Sequence, residues 1–280
     1  MDHKVGIIGF GTMGSAMAEQ IKKLSDGTQK VEIVVFDKDS SKLRTEHGFS
    51  VAKDVPGLVR SVDTAIIAVK PQDIEETLKQ INGAGKIPLV ISIAAGITID
   101  YLKKFLPGAM IVRAMPNLPA KIGAGVTGFC TDNVGPADTA WVVKIFNSLG
   151  ESLQVSEDKM NAITAVSGSG PAYVCEFLQE NFPGSLDIPA EKEKDFLIKF
   201  QDAAEAAGFT RKEAGSLVAG TFSGTIAFLR VTHIDPSDMK KQVASKGGTT
   251  EAALAVLESG GSLEAAVLAA KKRAGELSRG

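Results

Sequence analysis

The chain has 280 residues, room for one large domain or two ordinary ones, and 44% of them are hydrophobic, enough to build a core. Its 31 Lys and Arg nearly balance 33 Asp and Glu and are dispersed along the chain. That excludes a general electrostatic attraction to nucleic acid or to an acidic membrane surface.

Two cysteines, Cys130 and Cys175, form no CxxC pair, so a disulfide framework is not expected and a reducing cytoplasm is. His3, His47 and His233 have no metal-ligand spacing, and no metal is expected. The opening MDHKVGIIGFG is short and broken by glycine, which fits neither a signal peptide nor a membrane span. No later apolar run approaches about 18 residues, so no membrane partner is expected.

The runs KVGIIGF (4–10), VEIVVFD (31–37), TAIIAVK (64–70) and IPLVISIAAG (87–96) are β-branched, nearly continuous and bounded by Gly, Pro or Asp. They read as strands of a parallel sheet covered on both faces. Helices are predicted between them at 12–24, 71–81 and 98–105, and AMIVRAM (109–115) and AGVTGFC (124–130) continue the strands. Strand and helix in alternation predict a doubly wound α/β domain over 1–156.

GFGTMG (9–14) ends the first strand and opens a helix with G-x-G-x-x-G spacing. Gly9 permits a tight turn, Gly11 lets the backbone approach a pyrophosphate, and Gly14 lets helix and strand pack closely, with Thr12 and Met13 between them. Asp37 closes the second strand at about the 20-residue distance expected of a ribose-binding carboxylate. A carboxylate there favours the free 2′-hydroxyl of NADH over the 2′-phosphate of NADPH. Lys38 beside it is either a partner for that phosphate or a solvated turn residue. In open α/β sheets ligands lie beyond the carboxyl ends of the strands. Val69, Lys70 and Pro71, Ala95 and Gly96, and the MPNLP stretch with Asn117 stand at those ends and are candidate cofactor contacts.

From about Glu151 the period becomes helical, and 157–280 reads as an all-α domain. SGSGPAY (167–173) reads as a helix break restarted by Pro171 at a first-turn position. ENFPGSLDIPAEKEKD (180–195) reads as a surface loop leading into a helix. SKGGTTEAALAVLESGG (245–261) places Gly247, Gly248, Thr249 and Thr250 at a helix mouth. Either a threonine caps that helix, or its orphan N–H groups and positive dipole end hold an anion. Lys271, Lys272 and Arg273 read as a helix-end cluster facing water.

GFGTMGSAMA also suits β-hydroxyacid dehydrogenases, which use a lysine in the helix after the nucleotide domain. NAITAVSGSGPAYVCEF (161–177) contains none. A substrate that is already an electrophilic imine needs less acid–base help.

Along nearly its full length the chain resembles the Δ1-pyrroline-5-carboxylate reductases. The resemblance rests on GxGxMG (9–14), AVKP (68–71), SIAAG (92–96), RAMPNLP (113–119), AVSGSGPAY (165–173) and VASKGGTTEAALAVLESGG (243–261). It implies a Rossmann domain followed by an all-α dimerisation domain, two subunits interlocked through their helices, and further assembly, often to decamers. It implies that Ser245, Gly247, Gly248, Thr249 and Thr250 hold the carboxylate of a small cyclic imino acid. Thr164 matches the position that hydrogen-bonds the ring nitrogen. Hydride from NADPH or NADH would reach the imine carbon and give proline.

Three departures stand out. Lys246 replaces a proline, 180–195 looks like added sequence, and Asp37-Lys38 stands where NADPH-preferring members carry Asn or Ser followed by Arg. Two other readings fit the same residues: a reductase of a related cyclic imino acid, and a dinucleotide-binding regulatory paralogue without turnover.

Overall fold

The computed structural model describes residues 2–26, 29–43 and 48–278; His47 lies outside them. The chain divides into two compact units, one of Met1–Ala114, Phe129–Leu149 and Ser278–Gly280, the other of Met115–Gly128 and Gly150–Leu277.

The first unit is wound from β1 (His3–Ile8), α1 (Thr12–Lys22), β2 (Val31–Phe36), β3 (Ser50–Val51), α2 (Val55–Ser61), β4 (Thr64–Ile67), α3 (Ile74–Asn82), β5 (Leu89–Ser92), α4 (Ile99–Phe105) and β6 (Ile111–Met115). β7 (Gly125–Asp132), α5 (Pro136–Asn147) and β8 (Gly150–Gln154) follow in the chain. The strand order is β3-β2-β1-β4-β5-β6-β7-β8, with every recorded pairing from β3 to β6 parallel. The order reverses beside β1, where Ile8 lies opposite both Phe36 and Ile67, and such a switch point opens a crevice beyond the strand ends. Val5, Ile7, Ile66, Ile67, Val90 and Ile91 are all buried, which is why these strands are continuous apolar runs rather than alternating ones.

The sheet is the mostly parallel one that the alternation predicts, with shorter strands. β4 ends at Ile67, before Val69 and Lys70. β5 ends at Ser92, before the turn whose Gly96 takes φ 76°. β3, β8, α2 and α5 are additions. β3 has two exposed residues and β8 (GESLQ) is partly exposed throughout, so neither carries an apolar run.

The second unit carries α6 (Met160–Ile163), a π-helical turn at Thr164–Gly168, α7 (Gly170–Asn181), α8 (Ala190–Ala206), α9 (Arg211–Thr232), α10 (Pro236–Val243), α11 (Thr249–Glu258) and α12 (Leu263–Leu277). Its core is aromatic: Phe196 stands within 6 Å, ring centre to ring centre, of Phe177, Phe200 and Phe222. α9 starts in a capping box, Thr210 Oγ1 accepting from Glu213 N and the Glu213 carboxylate accepting from Thr210 N. α9 is long and apolar enough to cross a membrane, but Leu217, Phe222, Phe228 and Leu229 are buried, the signature of a core helix.

Three expectations change here. The SGSG stretch widens the helix before breaking it: Ser169 N donates to Thr164 O at 2.9 Å, five residues back, and α7 then restarts at Gly170 with Pro171 in its first turn, as expected. The loop after α7 spans only 182–189, because the charge run Glu191–Asp195 forms the start of α8. The basic cluster does not simply face water. Lys271 Nζ donates to Ala207 O at 2.8 Å and Arg273 Nε to Gly247 O at 2.8 Å, leaving only Lys272 exposed.

Candidate functional site

The glycine turn of the first unit leaves the start of α1 open. Gly9 has φ 97°, and a side chain on it would lie 2.7 Å from the Ala68 carbonyl. A Cβ on Gly14 would sit 1.9 Å from Gly9 O, so α1 can press onto β1 only with glycine there. A Cβ on Gly11 would meet nothing within 4 Å. The space in front of Gly11 is therefore open, and no side chain caps α1 behind it. Open space before uncapped N–H groups at a helix start fits a pyrophosphate. Thr12 is exposed and Met13 half-buried on the first turn.

A cavity of about 390 Å³ adjoins this turn, lined among others by Gly9, Gly11, Asp37, Lys38, Val69 and Lys70. Six of the thirteen expected cofactor residues thus line one cavity; Thr12, Met13, Gly14, Pro71, Ala95, Gly96 and Asn117 do not line it. Lys70 is exposed, and Pro71 opens a short 3₁₀ turn after it. Ala95 and Gly96 lie beyond the end of β5.

Asp37 is 9% exposed and already well partnered. Its Oδ2 accepts from Phe10 N at 2.7 Å and its Oδ1 from Asp39 N at 2.9 Å, which ties the end of β2 to the glycine turn. Lys42 Nζ lies 3.3 Å from Oδ1 and 3.5 Å from Oδ2. Lys38 points elsewhere, pairing with Asp73 at 2.6 Å. Lys42 also lines the cavity and is the basic residue that neutralises Asp37; reading the sequence missed it. The signal available was a lysine five residues past Asp37, in the 3₁₀ turn that follows β2.

Asn117 belongs to the second unit. It is buried, its Nδ2 donating to Ser167 O at 3.2 Å and its Oδ1 accepting from Val126 N at 2.9 Å. Pro171 has no N–H, so the carbonyl of Ser167, four residues earlier, loses its helical partner; Asn117 supplies one.

Thr164 sits in the widened turn, its hydroxyl donating to Met160 O at 3.0 Å. Around it the packing is close: a Cβ on Gly170 would meet Thr221 Cγ2 at 2.6 Å and Phe200 Cζ at 3.0 Å. Burial pushes the Tyr173 phenol well above its ordinary pKa, and it serves as a donor to Ala165 O at 3.0 Å.

At the GGTT stretch, Gly247 takes φ 69° and Gly248 is the N-cap of α11, again with no side-chain cap. A Cβ on Gly248 would lie 2.3 Å from Ser245 Oγ. Neither threonine caps the helix. Thr250 Oγ1 donates to Ser169 Oγ at 3.0 Å, and Thr249 Oγ1 lies 3.1 Å from the same oxygen. The loop is clamped twice, Glu251 accepting from Gly247 N and Arg273 donating to Gly247 O. Ser245 and Lys246 are exposed. Ser169, which joins the two signature stretches, is the second residue missed. It lies 80 residues from Thr249, and nothing local marks it.

Cys130 and Cys175 are buried and form no disulfide, and burial pushes the Cys175 thiol up to about 12. Among the described residues no group of three or more His, Cys, Asp or Glu is arranged to hold a metal ion.

Residues 4–96 match the family model described as NADP oxidoreductase, coenzyme F420-dependent. With the glycine turn and the doubly wound sheet, this defines an oxidoreductase that uses a nicotinamide dinucleotide. Residues 195–277 match the model described as pyrroline-5-carboxylate reductase dimerisation. The pyrroline-5-carboxylate reductase of Synechocystis is 34% identical over 100% of both chains, and that of Escherichia coli 33% identical over 99% of this chain and 98% of its own. Among solved structures, the pyrroline-5-carboxylate reductase of Coxiella burnetii matches with TM-score 0.64 and 28% identity over 99% of both chains. The Plasmodium falciparum pyrroline carboxylate reductase, solved with NADP bound, matches with TM-score 0.60 and 27% identity over 99% of this chain and 98% of its own. The chain belongs to the pyrroline-5-carboxylate reductase family.

Proposed function

We propose that this protein reduces Δ1-pyrroline-5-carboxylate to L-proline. The observation that carries the reading is the full-length relationship to reductases of that name together with an uncapped GGTT helix start. A bound reduced nicotinamide supplies the hydride. The chain has to bind the substrate anion, orient the ring and keep the imine nitrogen charged.

The N–H groups of Gly248, Thr249 and Thr250, with hydroxyls from Ser245 and Thr249, are suited to the carboxylate: they are donors at the positive end of α11. Thr164 is suited to the ring nitrogen. Its one proton is committed to Met160 O, so toward a ligand it can only accept. An acceptor favours the protonated iminium, the more electrophilic form, and no enzymic acid is then required. The cofactor residues are Gly9, Gly11, Thr12, Met13, Gly14, Asp37, Lys38, Val69, Lys70, Pro71, Ala95 and Gly96, with Asn117 shaping the floor of the widened turn. Asp37 leans to NADH. Lys42 beside it offsets that charge, so NADPH is accepted as well.

In this reading residues 1–156 are the dinucleotide half and 157–280 the substrate and dimerisation half. The dimer is interlocked through the helices and assembles further, toward a decamer. The enzyme is cytoplasmic, in keeping with two buried cysteines that form no disulfide. The test is the fall of NADH or NADPH absorbance with Δ1-pyrroline-5-carboxylate, with proline identified as the product. No consumption of either dinucleotide, or equal turnover of a six-membered imino acid, would sink the assignment.

A further inference from the structure

Residues 245 to 248 fold into a tight turn ahead of α11, with Gly248 N donating to Ser245 O at 2.8 Å. Gly247, the third residue of the turn, takes φ 69°, and Lys246, the second, keeps a negative φ. Negative then positive is the mark of a type II turn, which favours proline at its second position because the ring presets φ. Lys246 presets nothing, so the closed turn rests on contacts from outside it. They come to both edges of Gly247. Glu251, in the first turn of α11, accepts from Gly247 N, and Arg273 Nε donates to Gly247 O at 2.8 Å. A charged donor makes the stronger kind of hydrogen bond to a carbonyl. Another arm of the guanidinium, Nη1, meets Glu276 at 2.9 Å, which fixes its plane. α12 delivers Arg273 from a packed helix: Ala266, Val267, Ala270 and Ala274 are buried on one face, and Arg273 stands at the edge of that face. What the turn sets is Ser245. Its Oγ lies 2.3 Å from where a Cβ on Gly248 would stand, so the hydroxyl is folded over the start of α11.

We propose that Arg273 is a positioning residue for the imino acid. It acts through the Gly247 carbonyl to hold the Ser245–Gly248 turn closed, so that the substrate carboxylate meets a helix start already in shape. Glu276 orients the guanidinium, and Glu251 holds the other edge of the same glycine. Arg273 itself contacts no substrate atom. A site shaped in advance costs less ordering on binding than one that the ligand has to assemble. This role deepens the proposed function and rests on it. It also gives the middle of the basic run 271–273 its meaning: Lys272 faces water, while Arg273 turns back to the turn before α11.

The test sets R273Q, which removes the charged donor, against K246P, which presets the turn by another route. The Lys246 N–H has no protein partner among the described residues, so proline takes no bond away there. Calorimetry on the full-length chain with saturating oxidised dinucleotide reads L-proline affinity, and steady-state kinetics reads the KM for Δ1-pyrroline-5-carboxylate. R273Q should weaken L-proline binding about fivefold and raise that KM about as much, with kcat and dinucleotide affinity nearly unchanged. R273Q/K246P should recover most of the loss. Recovery separates the turn from simple charge, because K246P removes a second cation and would weaken anion binding further if the field alone mattered. If R273Q fails to fold, E276Q decides in its place: it frees the guanidinium and should cost about twofold, again recovered by K246P. Wild-type affinity in the deciding variant, or a loss that K246P leaves in place, would overturn the positioning role while the reductase reading stands. A wild-type chain that binds dinucleotide but not L-proline would overturn the carboxylate assignment and this role with it.

Discussion

Asn117 hydrogen-bonds the carbonyl of Ser167, the group that Pro171 leaves without a helical partner, and so closes the widened turn that holds Thr164. Its other amide atom accepts from Val126 N, so one buried side chain joins the start of β7 to the SGSG stretch. Asn117→Leu keeps the size and removes both bonds, leaving a buried carbonyl and a buried N–H unpaired. Each such group costs about 1–3 kcal/mol. The variant should unfold at clearly lower urea than wild type with an unchanged m-value. A midpoint equal to wild type would mean that water replaces the amide without loss.

The partners of Asp37 set the cofactor prediction. Its carboxylate serves two backbone N–H groups and one lysine, so it is a structural tie as well as a charge. Asp37→Ser removes the negative charge that opposes a 2′-phosphate. It should raise the ratio of kcat/KM for NADPH over NADH by about tenfold or more, given a Coulomb term of a few kcal/mol at contact distance. Lys42→Gln should move the ratio the opposite way, and Lys38→Gln should move it less, because Lys38 is held by Asp73. An unchanged ratio in Asp37→Ser would show that the carboxylate acts only on the Phe10 and Asp39 amides.

Thr249→Val removes the hydroxyl proposed to meet the carboxylate and keeps the backbone N–H groups in place. Losing a hydrogen bond to a charged group costs about 1.5–3 kcal/mol. The kcat/KM for the imino acid should therefore fall at least about tenfold, with dinucleotide affinity spared. Steady-state kinetics and dinucleotide titration check this, and a fall below about twofold would count against Thr249 as a ligand.

The sheet was legible because its strands are buried on both faces, and burial on both faces writes continuous β-branched runs. The glycine turn was legible because Gly9 and Gly14 are backbone requirements, which only one residue type meets. β8 escaped notice because GESLQ is partly exposed and has no apolar run. The π-helical turn escaped because glycine and serine in sequence normally signal a break. Here the small size of Gly168 and Gly170 also admits Met115, Thr221 and Phe200, so the chain widens into a π-helical turn before α7 restarts. Lys42 and Ser169 were hidden for a different reason: their roles come from contacts with Asp37 and Thr250 that only folding creates.

His3 stacks on Trp141, rings 3.7 Å apart and 6° from parallel, and the indole N–H donates to Thr64 Oγ1. Burial holds the His3 imidazole below its ordinary value of 6.5, with the chain N-terminus and Lys144 acting in the same sense and Asp63 and Asp2 opposing. The folded state therefore prefers neutral His3, and between the lowered value and 6.5 the unfolded chain binds more protons. Stability should rise with pH across that window and fall as acid carries the imidazole through its folded pKa. Because Trp141 is the one tryptophan in the chain, its fluorescence should report the titration, with a midpoint below 6.5 that His3→Gln abolishes. A midpoint above 6.5 would mean that attraction between the imidazolium and the indole face outweighs the cost of burying the charge. The stacked pair would then stabilise the start of β1 in acid.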